Sequence, residues 1–320
     1  MAEATKRTSY EAAAAWDTCR SRDRGEAPFA GDLLVLDLDL GGAGVCRCAG
    51  NGHIELLGET QGAPIPDVSA CLGIPWEKDP AWDRTLRVYL RGKGRLDPPV
   101  GTLPDQRTIH CSEVERMFED HIGQALSNLL ERTGELLDRL GIDRLALRIL
   151  PVGALASMVL AEHRIRAHFS ADPFLPDARF ADLAGADPAE IVAQGMALYA
   201  AGAVEPRKLL GHDVALCLLE GWGFGLPVRP VERPLAKRDT PLEELAKPTF
   251  TEPFFLDAGE PLRVVVDGEK YDLFQAAFPK GLFALPVQAG LRADETGMFL
   301  VLRGQALPDL EDHELPIPVK

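Results

Sequence analysis

The sequence predicts an α/β lobe followed by a small, mainly β domain. Three observations carry this expectation. Three short strands follow one another near the start around an Asn-Gly turn, strands and helices then alternate up to residue 201, and a strand-rich stretch follows a segment broken by six prolines. The expected division is a lobe over 1–226, a Pro-rich linker over 227–253 and a β domain with an acidic tail over 254–320.

Ser9 to Arg20, with Ala12 to Ala15 inside it, favours a helix, and the stretch from Gly25 to Gly31 ends it. Leu33 to Leu40 reads as an apolar strand whose second half alternates, with Asp37 and Asp39 on one face and Leu36, Leu38 and Leu40 on the other. Gly41 and Gly42 close it. Val45 to Ala49 and His53 to Leu57 flank Gly50-Asn51-Gly52, and Asn-Gly between such runs is a strong hairpin signal. The interval 60–110 is rich in Pro and Gly, with Leu86 to Leu90 as a candidate strand. Ser112-Glu113-Val114-Glu115 offers a capping box, after which Val114, Phe118, Ile122, Ala125, Leu129, Thr133, Leu136 and Leu140 recur at helical spacing up to Gly141. Leu145 to Leu150 is then expected as a strand, Ala154 to Phe169 as a helix, and Asp187 to Ala201 as a helix whose Gly195 lets another element come close. Val214 to Leu219 is placed in the same lobe by the family resemblance described below. Pro227, Pro230, Pro234, Pro241, Pro248 and Pro253 punctuate the linker, which cannot sustain a helix. Leu262 to Val266, Lys270 to Phe274, Leu282 to Val287 and Met298 to Leu302 read as strands, with Asp267-Gly268 as a turn, and the tail from Pro308 reads as acidic and mobile.

At 320 residues, 46% hydrophobic and 26% charged, the chain can bury one large or two modest cores. Lys and Arg total 34 against 49 Asp and Glu, so the net charge of −15 repels phosphate backbones and anionic lipid heads. Neither nucleic acid nor a membrane is expected as partner. No apolar run approaches the length of a membrane span, and no apolar segment follows the basic pair Lys6-Arg7, so the expected location is the cytoplasm. Six scattered cysteines lack the density of a disulfide scaffold.

Three segments carry a resemblance. Asp187 to Ala201, Leu147-Arg148-Ile149-Leu150-Pro151-Val152-Gly153, and Leu36-Asp37-Leu38-Asp39-Leu40-Gly41-Gly42-Ala43-Gly44 resemble the last helix, the adenosine loop and the second phosphate loop of the seventy-kilodalton heat-shock chaperones, in that family's order and spacing. The resemblance covers roughly residues 10–226 and implies the ribonuclease-H-like unit from which actin-like ATPase lobes are built. It implies one lobe only, because nothing upstream of Asp37 is long enough to supply the other, with its first phosphate loop and catalytic lysine. The interval 60–110 is too short for the family's adenine-gripping subdomain. The β domain after Phe254 stands where these chaperones hold a peptide-binding β-sandwich.

A phosphate loop needs glycines so that backbone N–H groups reach phosphate oxygens, and acids to hold magnesium through water. Asp39, Gly41, Gly42 and Gly153 keep that part of the chaperone pattern and are the candidate, vestigial nucleotide contacts. The hydroxyl and second acid expected after Gly42 are replaced by Ala43, Gly44, Val45 and Cys46, and the adenosine loop continues as Ala154, Leu155 and Ala156, without its hydroxyls or stacking arginine. The implied reading is a pseudo-ATPase without cofactor or catalytic residue, a chaperone-like or scaffold protein for a protein partner or client, a second copy of itself included. The alternative is one half of a split ATPase completed by another polypeptide. A two-metal nuclease could draw a first acid from Asp37 or Asp39, but the strand before Pro151-Val152-Gly153 supplies no second. Cys46, Cys48 and His53 could meet a zinc ion across the first hairpin, against a plainer role as core residues. No nucleophile elbow, Walker loop or His-Glu-x-x-His motif is present.

Overall fold

Glu11 N–H donates to Thr8 Oγ1 at 3.3 Å and Thr8 N–H donates back to Glu11 Oε2 at 3.1 Å, a reciprocal cap that starts helix α1 (Ser9–Asp23). The computed structural model describes residues 8–66, 80–92, 96–102, 106–183, 185–220, 229–257, 261–275, 284–304 and 313–318. The chain is mixed α/β with several sheets, and it divides into two units, Met1–Pro206 and Arg207–Lys320.

In the first unit, β1 (Gly31–Asp37), β2 (Gly42–Cys48) and β3 (His53–Gln61) form an antiparallel meander, with Asn51-Gly52 in the turn as expected. β1 is shorter than the expected strand. It stops at Asp37, and Leu38 to Gly41 form the turn, so Asp37 and Asp39 do not share a strand face. β6 (Arg148–Val152) lies parallel to β1, displaced from the expected 145–150, and the two-residue β7 (Glu205–Pro206) lies parallel to β3, giving the order β6-β1-β2-β3-β7. A single parallel bridge from Ile149 to Phe180 extends the sheet past β6. Arg179, beside it, holds Asp177 through its backbone N–H and its guanidinium and also donates to the Phe169 and Arg144 carbonyls.

Alternate residues of β1 enter two different cores, Leu34 and Leu36 on one face and Leu33 and Val35 on the other. Helices therefore cover both faces. The first face is covered by α2 (Pro80–Arg91), α3 (Cys111–Phe118), α4 (Gln124–Leu140) and α5 (Val159–Phe169), the second by α1 and α6 (Ile191–Ala200). The region expected as a strand at Leu86–Leu90 is the inner stripe of α2, where Leu86, Tyr89 and Leu90 are buried at helical spacing. α3 and α4 make one long helical run joined by a π turn at Glu119–Gly123 and closed by Gly141 at φ +66°. Its cap differs from the expected one: Glu113 accepts from His110 N–H, whereas Ser112 bonds Asp97. β4 (Pro99–Thr102) and β5 (Thr108–His110) form a small hairpin ahead of α3. Ala154–Ser157 is a 3₁₀ turn rather than the start of α5.

The second unit begins earlier than the expected 227–253 linker. β8 (Val214–Glu220), assigned from sequence to the lobe, pairs with β9 (Arg229–Ala236) and with β11 (Pro261–Val266), and β12 (Glu269–Gln275) completes the order β12-β11-β8-β9. The prolines of the expected linker suit this arrangement, since Pro230 and Pro234 lie on β9, a terminal strand. The other sheet runs β10 (Phe254–Asp257), β13 (Ala284–Asp294), β14 (Gly297–Gly304) and β15 (His313–Pro316), so the expected tail contributes a strand. Val214, Leu216 and Leu218, Leu262, Val264 and Val266, and Leu300 and Leu302 alternate into one core shared by both sheets, the pattern of two sheets packed face to face. Asp267 at φ +49° and Gly268 at φ +85° make the expected β11–β12 turn. No helix among the described residues is long and apolar enough to cross a membrane.

Candidate functional site

The expected phosphate loop is a tight turn between β1 and β2. Leu40 N–H donates to Asp37 Oδ1 at 3.1 Å, which closes the turn and uses the carboxylate that could otherwise face a ligand. Asp37 is buried, whereas Asp39 projects from the turn. Gly41 sits at φ +64°, a conformation that favours glycine, and a Cβ there would lie 2.1 Å from the Ala63 carbonyl oxygen. That close approach lets Gly62 N–H donate to Gly41 O at 2.8 Å. The glycine serves a backbone contact inside the lobe.

Gly42 and Gly44 serve a second one. A Cβ on Gly42 would stand 2.3 Å from the Tyr10 hydroxyl and one on Gly44 would stand 2.4 Å from Tyr10 Cγ, so the ring of Tyr10 occupies the space over β2. Burial first, then the negative charges of Asp37 and Glu59, push the Tyr10 phenol up to about 12, and it stays neutral at physiological pH. On the same face, a Cβ on Gly195 of α6 would lie only 1.8 Å from the Ala12 carbonyl oxygen of α1. The close neighbour expected at Gly195 is the chain's own first helix.

The structure does bring Asp39 and Gly153 together, and it satisfies them within the chain. Ala154 N–H donates to Asp39 Oδ1 at 2.9 Å, and Gly153 N–H donates to the Pro188 carbonyl at 2.9 Å. A Cβ on Gly153, at φ +96°, would fall 2.7 Å from the Asp39 carboxyl carbon. Backbone N–H groups at a strand-to-helix turn are what a phosphate oxygen would seek. Here a carboxylate oxygen of the same chain takes the Ala154 amide.

Cys46 and Cys48 are fully buried beneath α1. Burial holds the Cys46 thiol well above its ordinary value and pushes Cys48 up to about 12, so both favour the neutral thiol of core residues. Their register partners on β3 are Leu56 and Ile54, so His53 does not face them across the ladder. No group of three or more His, Cys, Asp or Glu that could hold a metal ion forms among the described residues.

Sequence reasoning missed a groove in the second unit. Leu219 on β8 and Phe255 on β10 are 45% and 67% exposed and line a cavity of about 220 Å³ together with Pro230, Pro261, Arg263 and Lys270. A signal was present in Phe254-Phe255-Leu256. Three consecutive apolar residues in a strand that alternates between core and solvent must leave one outward, and the outward one is Phe255. No family model matches the chain, and no curated protein matches it.

Proposed function

We propose that this chain is a chaperone-like binding protein whose ribonuclease-H-like lobe no longer turns over nucleotide and whose β unit engages an extended, apolar segment of a partner protein. The order β3-β2-β1-β6, with β6 parallel to β1 and helices on both faces, supports that lobe. The single observation that carries the reading is the internal use of both candidate loops. Asp39 accepts from Ala154, Gly153 donates to Pro188, and Tyr10 fills the space over Gly42 and Gly44. A nucleotide would have to displace the existing charge-assisted hydrogen bond from Ala154 to Asp39 before gaining any contact of its own.

The β unit supports the binding half of the proposal. β10 is a terminal strand of its sheet, and Phe255 and Leu219 flank the cavity beside it. A strand that ends its sheet among the described residues, beside a groove where Arg263 and Lys270 join the apolar side chains, suits an extended peptide, which adds backbone hydrogen bonds and buries alternate side chains. Two titrations of the full chain test the proposal. Calorimetry with MgATP is expected to show no binding, and a fluorescent apolar heptapeptide is expected to bind saturably, with loss on Phe255→Asp. Magnesium-dependent ATP binding that disappears in Asp39→Ala would sink the pseudo-ATPase reading and favour a split ATPase. Peptide binding unchanged by Phe255→Asp would move the partner site off the groove.

A further inference from the structure

Five arginines and two acids lie on α2 and α5, in a chain whose net charge is −15. Three of those arginines, Arg87 and Arg91 from α2 and Arg166 from α5, line one cavity of about 280 Å³, which is roofed by Phe174 and Leu175 between Pro173 and Pro176. Glu162 is the only acid in the lining among the described residues. It accepts from Arg87 at 2.6 Å and from Arg166 at 2.9 Å. Burial opposes its ionisation, and the two guanidinium groups outweigh that and hold its carboxyl below the ordinary range. One carboxylate is thus shared by two cations. Arg91 adds a third, and among the described residues it makes no ion pair, lying instead over the Phe174 ring at 6.0 Å. The His163 ring also packs on Phe174, tilted, with centroids 5.0 Å apart.

We propose that this cleft binds a small organic anion, a carboxylate or phosphate monoester on a single aromatic or short apolar body, with Arg87 and Arg91 meeting the anion and Phe174, Val159 and Leu90 meeting the body. Guanidinium groups recognise both anions through the same forked pairs of N–H bonds, so the chemistry is shared between the two head groups. Size sets the limit. At about 280 Å³ the cavity stands just below the range of drug-sized ligand sites, about 300 to 1,000 Å³, and a nucleoside phosphate would overfill it. Charge sets the sign. With three guanidinium groups against the one carboxylate among the described lining residues, the cavity favours an anion over a cation.

The test is fluorine-detected NMR of the full chain with two probes, 4-fluorophenyl phosphate and 4-fluorophenylacetate. Saturable binding of either probe is expected, and the tighter of the two identifies the head group. Arg91→Ala should weaken it about tenfold to a hundredfold, the worth of one charge-assisted hydrogen bond. Arg84→Ala, on an exposed position of α2 outside the cavity lining, is the control and should leave the affinity unchanged. Phe174→Ala should weaken the aryl probes while leaving any binding of inorganic phosphate in place. Circular dichroism melts of the variants confirm folding, since Arg91 and Phe174 are exposed side chains. Three outcomes overturn the proposal. They are an absence of saturable binding of both probes, an equal loss in Arg84→Ala and Arg91→Ala, and displacement of the phosphate probe by AMP at matched concentration.

Discussion

Gly195 shows how one missing side chain decides a contact. It lies inside α6, where replacing Gly by Ala would ordinarily stabilise a helix by about 1 kcal/mol. A Cβ there would come within 1.8 Å of the Ala12 carbonyl oxygen, which is backbone and cannot rotate away, so α1 and α6 would have to separate. Gly195→Ala is therefore expected to destabilise the protein by about 2 kcal/mol or more, reversing the propensity effect. Gly134 in α4 is the contrast. A Cβ there meets only the far end of the Arg144 side chain, at 3.3 Å, and Gly134→Ala should be neutral or stabilising by up to about 1 kcal/mol. Urea denaturation of the two variants checks both signs. Unchanged stability in Gly195→Ala would show that the α1–α6 contact does not depend on Gly195, and a loss in Gly134→Ala would show that the Arg144 side chain does not give way.

At the scale of elements, the β11–β12 turn is tied to the segment that enters β8 by one carboxylate. Asp267 accepts from Asp213 N–H at 2.9 Å, from His212 Nδ1 at 2.7 Å and pairs with Arg238 at 3.2 Å. Burial resists its ionisation, and these partners outweigh it, holding its carboxyl below the ordinary carboxylate range. A depressed acid contributes stability that is fully present above its unfolded value of about 3.9 and is lost as pH falls through the folded value. The melting temperature of the protein should accordingly drop on acidification below about pH 5, and Asp267→Asn should flatten that acid limb. Asn is the right replacement because it tolerates the φ of +49° found here. Thermal melts across the pH range decide the matter, and an unaltered acid limb in the variant would place the acid-sensitive groups elsewhere.

For the whole molecule, the two units have separate cores. Every buried side chain of the second unit's cluster, from Leu210 to Ile317, comes from residues after Pro206. Residues 207–320 expressed alone should fold, with dispersed amide NMR signals and one cooperative unfolding transition. A collapsed fragment without dispersion would mean that this core needs the first unit to form.

Local chemistry determined much of this architecture from sequence alone. Gly52 and Asp267-Gly268 specify turns because few other residues accept their positive φ, and the apolar spacing from Val114 to Leu140 specifies a helix because the stripe must face a core. Leu86 to Leu90 misled because five residues hold too little of a period to separate alternation from helical spacing. Only the tertiary structure assigned Val214 to Leu219 to the second unit, since the partner strand β11 lies far along the chain and strand pairing leaves no local mark. The candidate loops follow the same division. The glycines at 41, 42 and 153 were legible in sequence as positions of close approach. What approaches them was not, because the Asp39 contact to Ala154 spans 115 residues and the ring over Gly42 and Gly44 belongs to Tyr10 of α1. A glycine in sequence states that space is needed, and only packing between distant segments decides whether a ligand or the chain itself fills it.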